Sequence, residues 1–253
     1  MSKISYAILT AGMTLDVCLL WRLLRKALWR EYPGLFSYVL YDLIATCVLF
    51  GILRSSPHLY RSLYWKSEIV SMSLGFLVVW EIFRHTFPKG SILRAVVAKG
   101  FATVALIPII FTFSVFWALA SYAKFHYLYP VFERSFGFVL SALVLATLLA
   151  TKYYHVSLGR NVWGIALGFG AYVSISTAIF GLVDVTNLFV PYMQVLRPLS
   201  FIAMLATWTW AVWIYVPNPP IAVGRAAALD VALSSWSDNW RRTISAIWRT
   251  IHP

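Results

Sequence analysis

Residues 161–183 read NVWGIALGFGAYVSISTAIFGLV, twenty-three positions without one Asp, Glu, Lys, Arg or His. A hydrocarbon core about 30 Å thick is crossed by roughly 20 apolar residues in an α-helix, so this stretch reads as a membrane span. Gly164, Gly168 and Gly170 lie within it. They read as small residues for close helix packing; a phosphate cradle needs a Gly-rich turn between a strand and a helix.

Six more stretches of similar character lie at 4–21, 35–53, 63–87, 100–123, 135–151 and 198–216. Together they predict an all-α, polytopic membrane bundle of seven transmembrane helices over residues 1–216. Residues 217–253 form a separate tail, and no loop is long enough for a second domain. The third span has the shortest uncharged run, Ile69 to Trp80 between Glu68 and Glu81. It crosses only if both carboxylates sit near its ends or face protein. Pro108 predicts a kink in the fourth. Lys3 and the apolar run after it resemble a signal peptide, but Asp16 interrupts the run and no small-residue cleavage site follows. The segment is therefore read as a retained first helix.

The whole composition agrees. Of 253 residues, 60% are hydrophobic and 12% charged, and the mean hydropathy is +0.75. A soluble domain carries about 25% charged residues, which excludes that class. The net charge of +12 is read as loops on an anionic leaflet rather than as a nucleic-acid surface, because no nucleic-acid module is present. Placing the N-terminus outside puts fourteen Lys and Arg on the inner side and seven on the outer. That asymmetry predicts N-out and C-in. Tyr127, Tyr129 and Tyr192 then mark outer ends and Trp21, Trp29 and Trp163 inner ends. Cys18 and Cys47 lie in apolar runs and read as packing residues.

Pro217, Pro219 and Pro220 stop the seventh span. Beyond them Leu229, Leu233, Trp236, Trp240, Ile244, Ile247, Trp248 and Ile251 recur at helical spacing. Arg241, Arg242 and Arg249 lie largely off that face. The pattern predicts a cytoplasmic amphipathic helix over 223–251, lying in the membrane interface on Trp236, Trp240 and Trp248. It either pads the inner leaflet or docks a cytoplasmic partner through residues 221–253.

Charges inside a span cost on the order of 3 kcal/mol each and need a reason. Asp16, Asp42, Glu81, His85, Lys99 and His155 are expected in one inner layer, facing one another instead of lipid. Glu68, Glu133, Arg134, Asp184 and Arg197 scatter toward the other side. The plainest reading of the inner layer is a set of buried structural pairs. A proton or ion path comes second, and a metal site of Glu81, His85 and His155 third, with only Glu81-x-x-x-His85 as close ligand spacing. No cofactor is implied. H-E-x-x-H, G-x-S-x-G and P-loop patterns are absent. So are a seventh-helix lysine for a retinal Schiff base and the seventh-helix histidine pair of alkaline-ceramidase-type hydrolases.

Arg30-Glu31-Tyr32-Pro33, Tyr64-Trp65-Lys66-Ser67-Glu68, Trp80-Glu81-Ile82-Phe83-Arg84-His85, Glu133-Arg134-Ser135 and Gly164-Ile165-Ala166-Leu167-Gly168-Phe169-Gly170 resemble, together, a group of uncharacterised bacterial seven-helix integral membrane proteins. The resemblance covers most of residues 20–183. It implies the topology and a bacterial inner-membrane setting, and no particular activity. The reading that follows is a small sensor or transducer signalling to a separate cytoplasmic partner. The alternatives are a transporter or metal-dependent enzyme built on the inner polar layer, or a structural subunit of a membrane complex.

Overall fold

The computed structural model describes residues 3–87, 125–153, 158–185 and 190–216, with the single positions 98, 101, 102, 106, 110, 114, 235, 238, 239, 242 and 245. Apart from those positions, the fourth expected span and the tail helix lie outside the described residues. So do Lys99, His155, Trp236, Trp240 and Trp248.

The described chain is all-α. Its helices are α1 (Lys3–Arg25), α2 (Pro33–Ser55), α3 (Pro57–Thr86), α4 (Phe125–Tyr153), α5 (Arg160–Val185) and α6 (Val190–Trp213), with a 3₁₀ turn at Leu28–Arg30. Four of them contain stretches long and apolar enough to cross a membrane: Tyr6–Arg25, Pro33–Leu53, Arg160–Leu182 and Val195–Trp213. The apolar stretch of α4, Arg134–Leu149, is shorter.

Proline and one strained residue set the turns. Pro33 and Pro57 open α2 and α3 at the first helical position, where a missing N–H costs nothing. A single extended residue, Ser56, joins these two helices. After α1 the chain reverses through Ala27, whose φ of 52° is left-handed, a conformation that usually ends a helix on Gly.

Neighbouring helices close a ring. α1 packs on α2, α2 on α3, α3 on α4, α4 on α5, α5 on α6 and α6 back on α1, and α3 also touches α5 across the middle. Side-chain contacts fix the directions. Tyr6 meets Phe50 and Gly34 meets Glu81, so α1, α2 and α3 alternate. Gly170 meets Val144 and Gly164 meets Ala211; Ser174 meets Ser141 and Tyr172 meets Phe201. Hence α4, α5 and α6 alternate as well. Trp21 lies 6.1 Å from Trp213 and Arg22 donates to the Trp213 carbonyl at 2.6 Å, so α6 ends beside the end of α1 and runs parallel to it. It follows that α3 and α4, in contact through Phe76 and Phe136, also run in the same direction.

Packing is close where α5 meets α6. A Cβ on Gly164 would stand 2.6 Å from that of Ala211, so only glycine allows this approach. Helices in a bilayer gain little from hydrophobic exclusion and associate through such close contact. Trp208 is fully buried and donates its indole N–H to the Ile165 carbonyl at 3.0 Å. Around it Leu19, Leu23, Leu35, Val39, Phe169, Met204 and Leu205 fill the end of the ring nearer Arg25. The outward face carries exposed Val17, Ile44, Val48, Leu145, Ile175 and Leu182, an apolar surface suited to lipid.

Two helices begin earlier than their uncharged cores. α6 starts at Val190 rather than 198, and α4 at Phe125 rather than 135. In α6 the reason is visible: Arg197 is neutralised within the bundle by Glu68, so the charge does not end the helix.

Candidate functional site

Five helices of the ring enclose a cavity of about 290 Å³. α1 contributes Ile8, Leu9, Gly12, Met13 and Asp16; α2 contributes Tyr38, Asp42 and Thr46; α3 contributes Tyr64, Glu68 and Ser71. Tyr172 comes from α5, and Arg197, Pro198, Phe201 and Ile202 from α6. The cavity occupies the half of the bundle nearer the N-terminus of α1, opposite the Trp208 core.

Its deep end is acidic. Asp16 lies nine residues before the end of α1 and Asp42 nine after the start of α2, each roughly 14 Å from the same end of the bundle at 1.5 Å per residue. Their carboxyl groups stand against one another. Asp16 is 1% exposed, yet its Oδ1 has no hydrogen-bond partner among the described residues. Neither aspartate has an ion-pair partner among those residues. Two carboxylates in one site repel, and here a side-chain hydrogen bond holds a proton between Asp16 and Asp42, which leaves the pair one negative charge.

Glu68 is the third carboxylate, and it is compensated. The Arg197 guanidinium forms an ion pair with Glu68, reaches the Tyr64 hydroxyl at 3.2 Å, and lies over the Phe180 ring, 5.1 Å from its centroid. Below the aspartates an aromatic cluster closes the cavity. The Tyr38 ring meets Trp208 at 5.6 Å and Phe169 at 6.1 Å, both edge-on, and Phe169 stacks on Trp208 at 6.0 Å. The cavity is therefore stoppered on its Trp208 side.

The expected inner layer separates into two places. Asp16 and Asp42 are together; Glu81 and His85 are elsewhere, at the start of α2. Glu81 accepts the Gly34 N–H at 3.1 Å and the Leu35 N–H at 2.9 Å, capping the helix with its charge at the positive end of the helix dipole. Gly34 has to be glycine there, since a Cβ would meet the Leu77 carbonyl oxygen at 2.9 Å. The His85 ring nitrogen Nε2 bonds the Glu31 carbonyl at 3.0 Å, and its ring lies 4.8 Å from that of Tyr32. The physical reason for the split is helix length: Asp42 is eight residues, about 12 Å, farther along α2 than Gly34.

The same end is latched by the residues after α6. The Tyr215 hydroxyl donates to a Glu31 carboxylate oxygen at 2.6 Å. Burial, and then this bond, push the Tyr215 phenol up to about 12. The Asn161 amide group donates to the Val216 carbonyl at 2.6 Å and accepts the Val216 N–H at 3.3 Å. Among the described residues, no three His, Cys, Asp or Glu side chains are arranged to hold a metal ion. Both oxygens of Glu81 are already engaged by backbone amides.

The sequence assigned Glu68 and Arg197 to an outer scatter and gave Tyr38, Tyr64 and Tyr172 no role. The available signal was Arg197, a single charge in the otherwise apolar α6.

No family model matches the chain, and no curated protein or solved structure matches it either.

Proposed function

We propose that this chain is a seven-span protein of the bacterial inner membrane, N-out and C-in, whose cavity receives a small solute and whose tail reports to a separate cytoplasmic partner. The observation that carries the reading is the cavity with a buried, unpartnered Asp16 oxygen. A carboxyl pair buried at this depth costs more than apolar packing and calls for a reason. The seven-span count is supported by α3 and α4 being parallel neighbours. The helical single positions Ala98, Phe101, Ala102, Leu106, Ile110 and Ser114 fit a fourth span between Thr86 and Phe125. The orientation rests on the two-to-one Lys and Arg asymmetry.

Transport is the second reading, favoured by Pro198 in the cavity wall, where α6 loses one backbone hydrogen bond and can bend.

Substituted-cysteine labelling in cells tests the site. In a background with Cys18 and Cys47 replaced by Ser, Thr46→Cys and Gly12→Cys should react with a membrane-impermeant thiol reagent added outside. Leu205→Cys, in the closed core, should not. Failure of both cavity positions to label refutes an outward-facing solute site. Reporter fusions after Pro33, Lys89, Arg160 and Pro253 should all read cytoplasmic, and a periplasmic signal at Pro253 overturns the topology.

A further inference from the structure

We infer that the solute is a small organic ammonium ion, held between the Asp16–Asp42 carboxyl pair and a cage of aromatic rings. This inference rests on the solute-binding reading above and names the chemistry of its ligand.

Charge comes first. Of the four ionisable acid and base residues in the cavity wall, Glu68 and Arg197 neutralise one another. Asp16 and Asp42 are left, adjacent and joined by a side-chain hydrogen bond that holds one proton between them, so that the pair keeps one negative charge without an ion-pair partner. Their surplus is negative, so the complementary ligand is a cation. Asp16 strengthens the point beyond a mere acidic cluster, because it is 1% exposed, lines the cavity and presents an oxygen with no partner. A buried oxygen of that kind costs stability unless a ligand's positive end meets it.

The size and the walls then separate an organic cation from a metal ion. A divalent metal sits about 2–2.6 Å from six or more oxygen ligands. No three acidic, His or Cys side chains among the described residues are gathered that closely. A cavity of about 290 Å³ is near the lower end of small-molecule sites, roughly 300–1,000 Å³. Four of its lining residues are aromatic: Tyr38, Tyr64, Tyr172 and Phe201. Ring faces attract an alkylammonium, whose charge is spread over methyl groups and which is weakly hydrated. Tyr172 and Phe201 stand edge to face at 5.4 Å, so they present a ring face and a ring edge side by side. Ser71 and Thr46 supply hydroxyl oxygens for any N–H of a less substituted amine.

The test uses the full chain in lipid nanodiscs, with thermal unfolding and calorimetry as readouts. The probes are tetramethylammonium and methylammonium chloride, sodium, potassium and magnesium chloride, the neutral isostere tert-butanol, and glycine betaine as the zwitterion. Tetramethylammonium or methylammonium should raise the unfolding temperature saturably, while the metal ions at equal ionic strength, the alcohol and the zwitterion leave it unchanged. Asp16→Asn and Asp42→Asn should each weaken binding by about tenfold or more. Tyr172→Leu, which keeps the charges, should weaken tetramethylammonium more than methylammonium. Equal binding by the alcohol or the betaine, selective binding of a metal ion, or unchanged affinity in both Asn variants overturns the inference. Should the Asn variants not fold, the probe panel on the parent protein and the Tyr172→Leu ratio still decide it. Failure here together with successful outside labelling of Thr46→Cys removes only the ammonium assignment. Failure of both Thr46→Cys and Gly12→Cys to label removes the solute site itself.

Discussion

Glu81→Ala should destabilise the bundle strongly without touching the cavity. In the native chain both carboxylate oxygens accept buried backbone donors, from Gly34 at 3.1 Å and Leu35 at 2.9 Å. Truncation strands two N–H groups in a place where Glu81 itself is only 7% exposed. Each stranded donor costs about 1–3 kcal/mol, and the lost charge at the start of α2 adds roughly 0.3–1 kcal/mol. The total is about 2–7 kcal/mol, of the size expected when a buried capping group is removed. Glu81→Gln keeps one acceptor oxygen and turns an N–H group toward the other amide, so it should lose about half as much. Equilibrium unfolding in mixed micelles measures the difference between parent, Gln and Ala forms. Ammonium affinity of whatever fraction stays folded should match the parent. A loss below about 1 kcal/mol in Glu81→Ala would refute the capping assignment, since water or another donor would then be serving those amides. Intact stability with altered solute binding would return Glu81 to the functional site.

Gly34→Ala should cost about 1–3 kcal/mol through overpacking against the Leu77 carbonyl, seen as a lower unfolding midpoint; an unchanged midpoint would mean the α2–α3 contact is looser than 2.9 Å implies. The Tyr215 latch predicts a pH dependence at the alkaline end. Its phenol is raised from 10.0 to about 12 in the folded chain, so its contribution is complete below pH 10 and fades as pH rises through about 12. Tyr215→Phe should remove that alkaline component of stability, and an ultraviolet titration at the phenolate band should show one fewer late-ionising tyrosine. A titration identical to the parent's would separate Tyr215 from Glu31.

Hydropathy made the helical class and the apolar cores of α1, α2, α5 and α6 legible, because lipid imposes a length and a composition that no soluble fold imitates. The ends of α4 and α6 were not legible. A charge such as Arg197 reads as a boundary until its partner, 129 residues away, is known. The candidate site was legible in part for a similar reason. Sequence position gives the depth of Asp16, Asp42, Glu81 and His85 only coarsely, and gives nothing of which neighbour each one faces. Depth grouped the four; the start of α2 claimed Glu81, and only the two aspartates share a wall of the cavity. Tyr38 and Tyr172 were indistinguishable from packing aromatics until the ring of helices gave them a cavity to face.

The ring closes through α1 and α6, the first and last described helices, and this sets an order of events during biogenesis. Glu68 is synthesised long before Arg197 leaves the ribosome. At about 5–20 residues per second the interval is on the order of ten seconds, during which the carboxylate of α3 has no guanidinium to meet. A nascent chain stalled before residue 197 therefore carries α3 without the guanidinium that pairs with its Glu68 in the finished protein. Arrival of α6 supplies the counter-charge, closes the ring and completes the cavity wall with Arg197, Pro198, Phe201 and Ile202 in a single step.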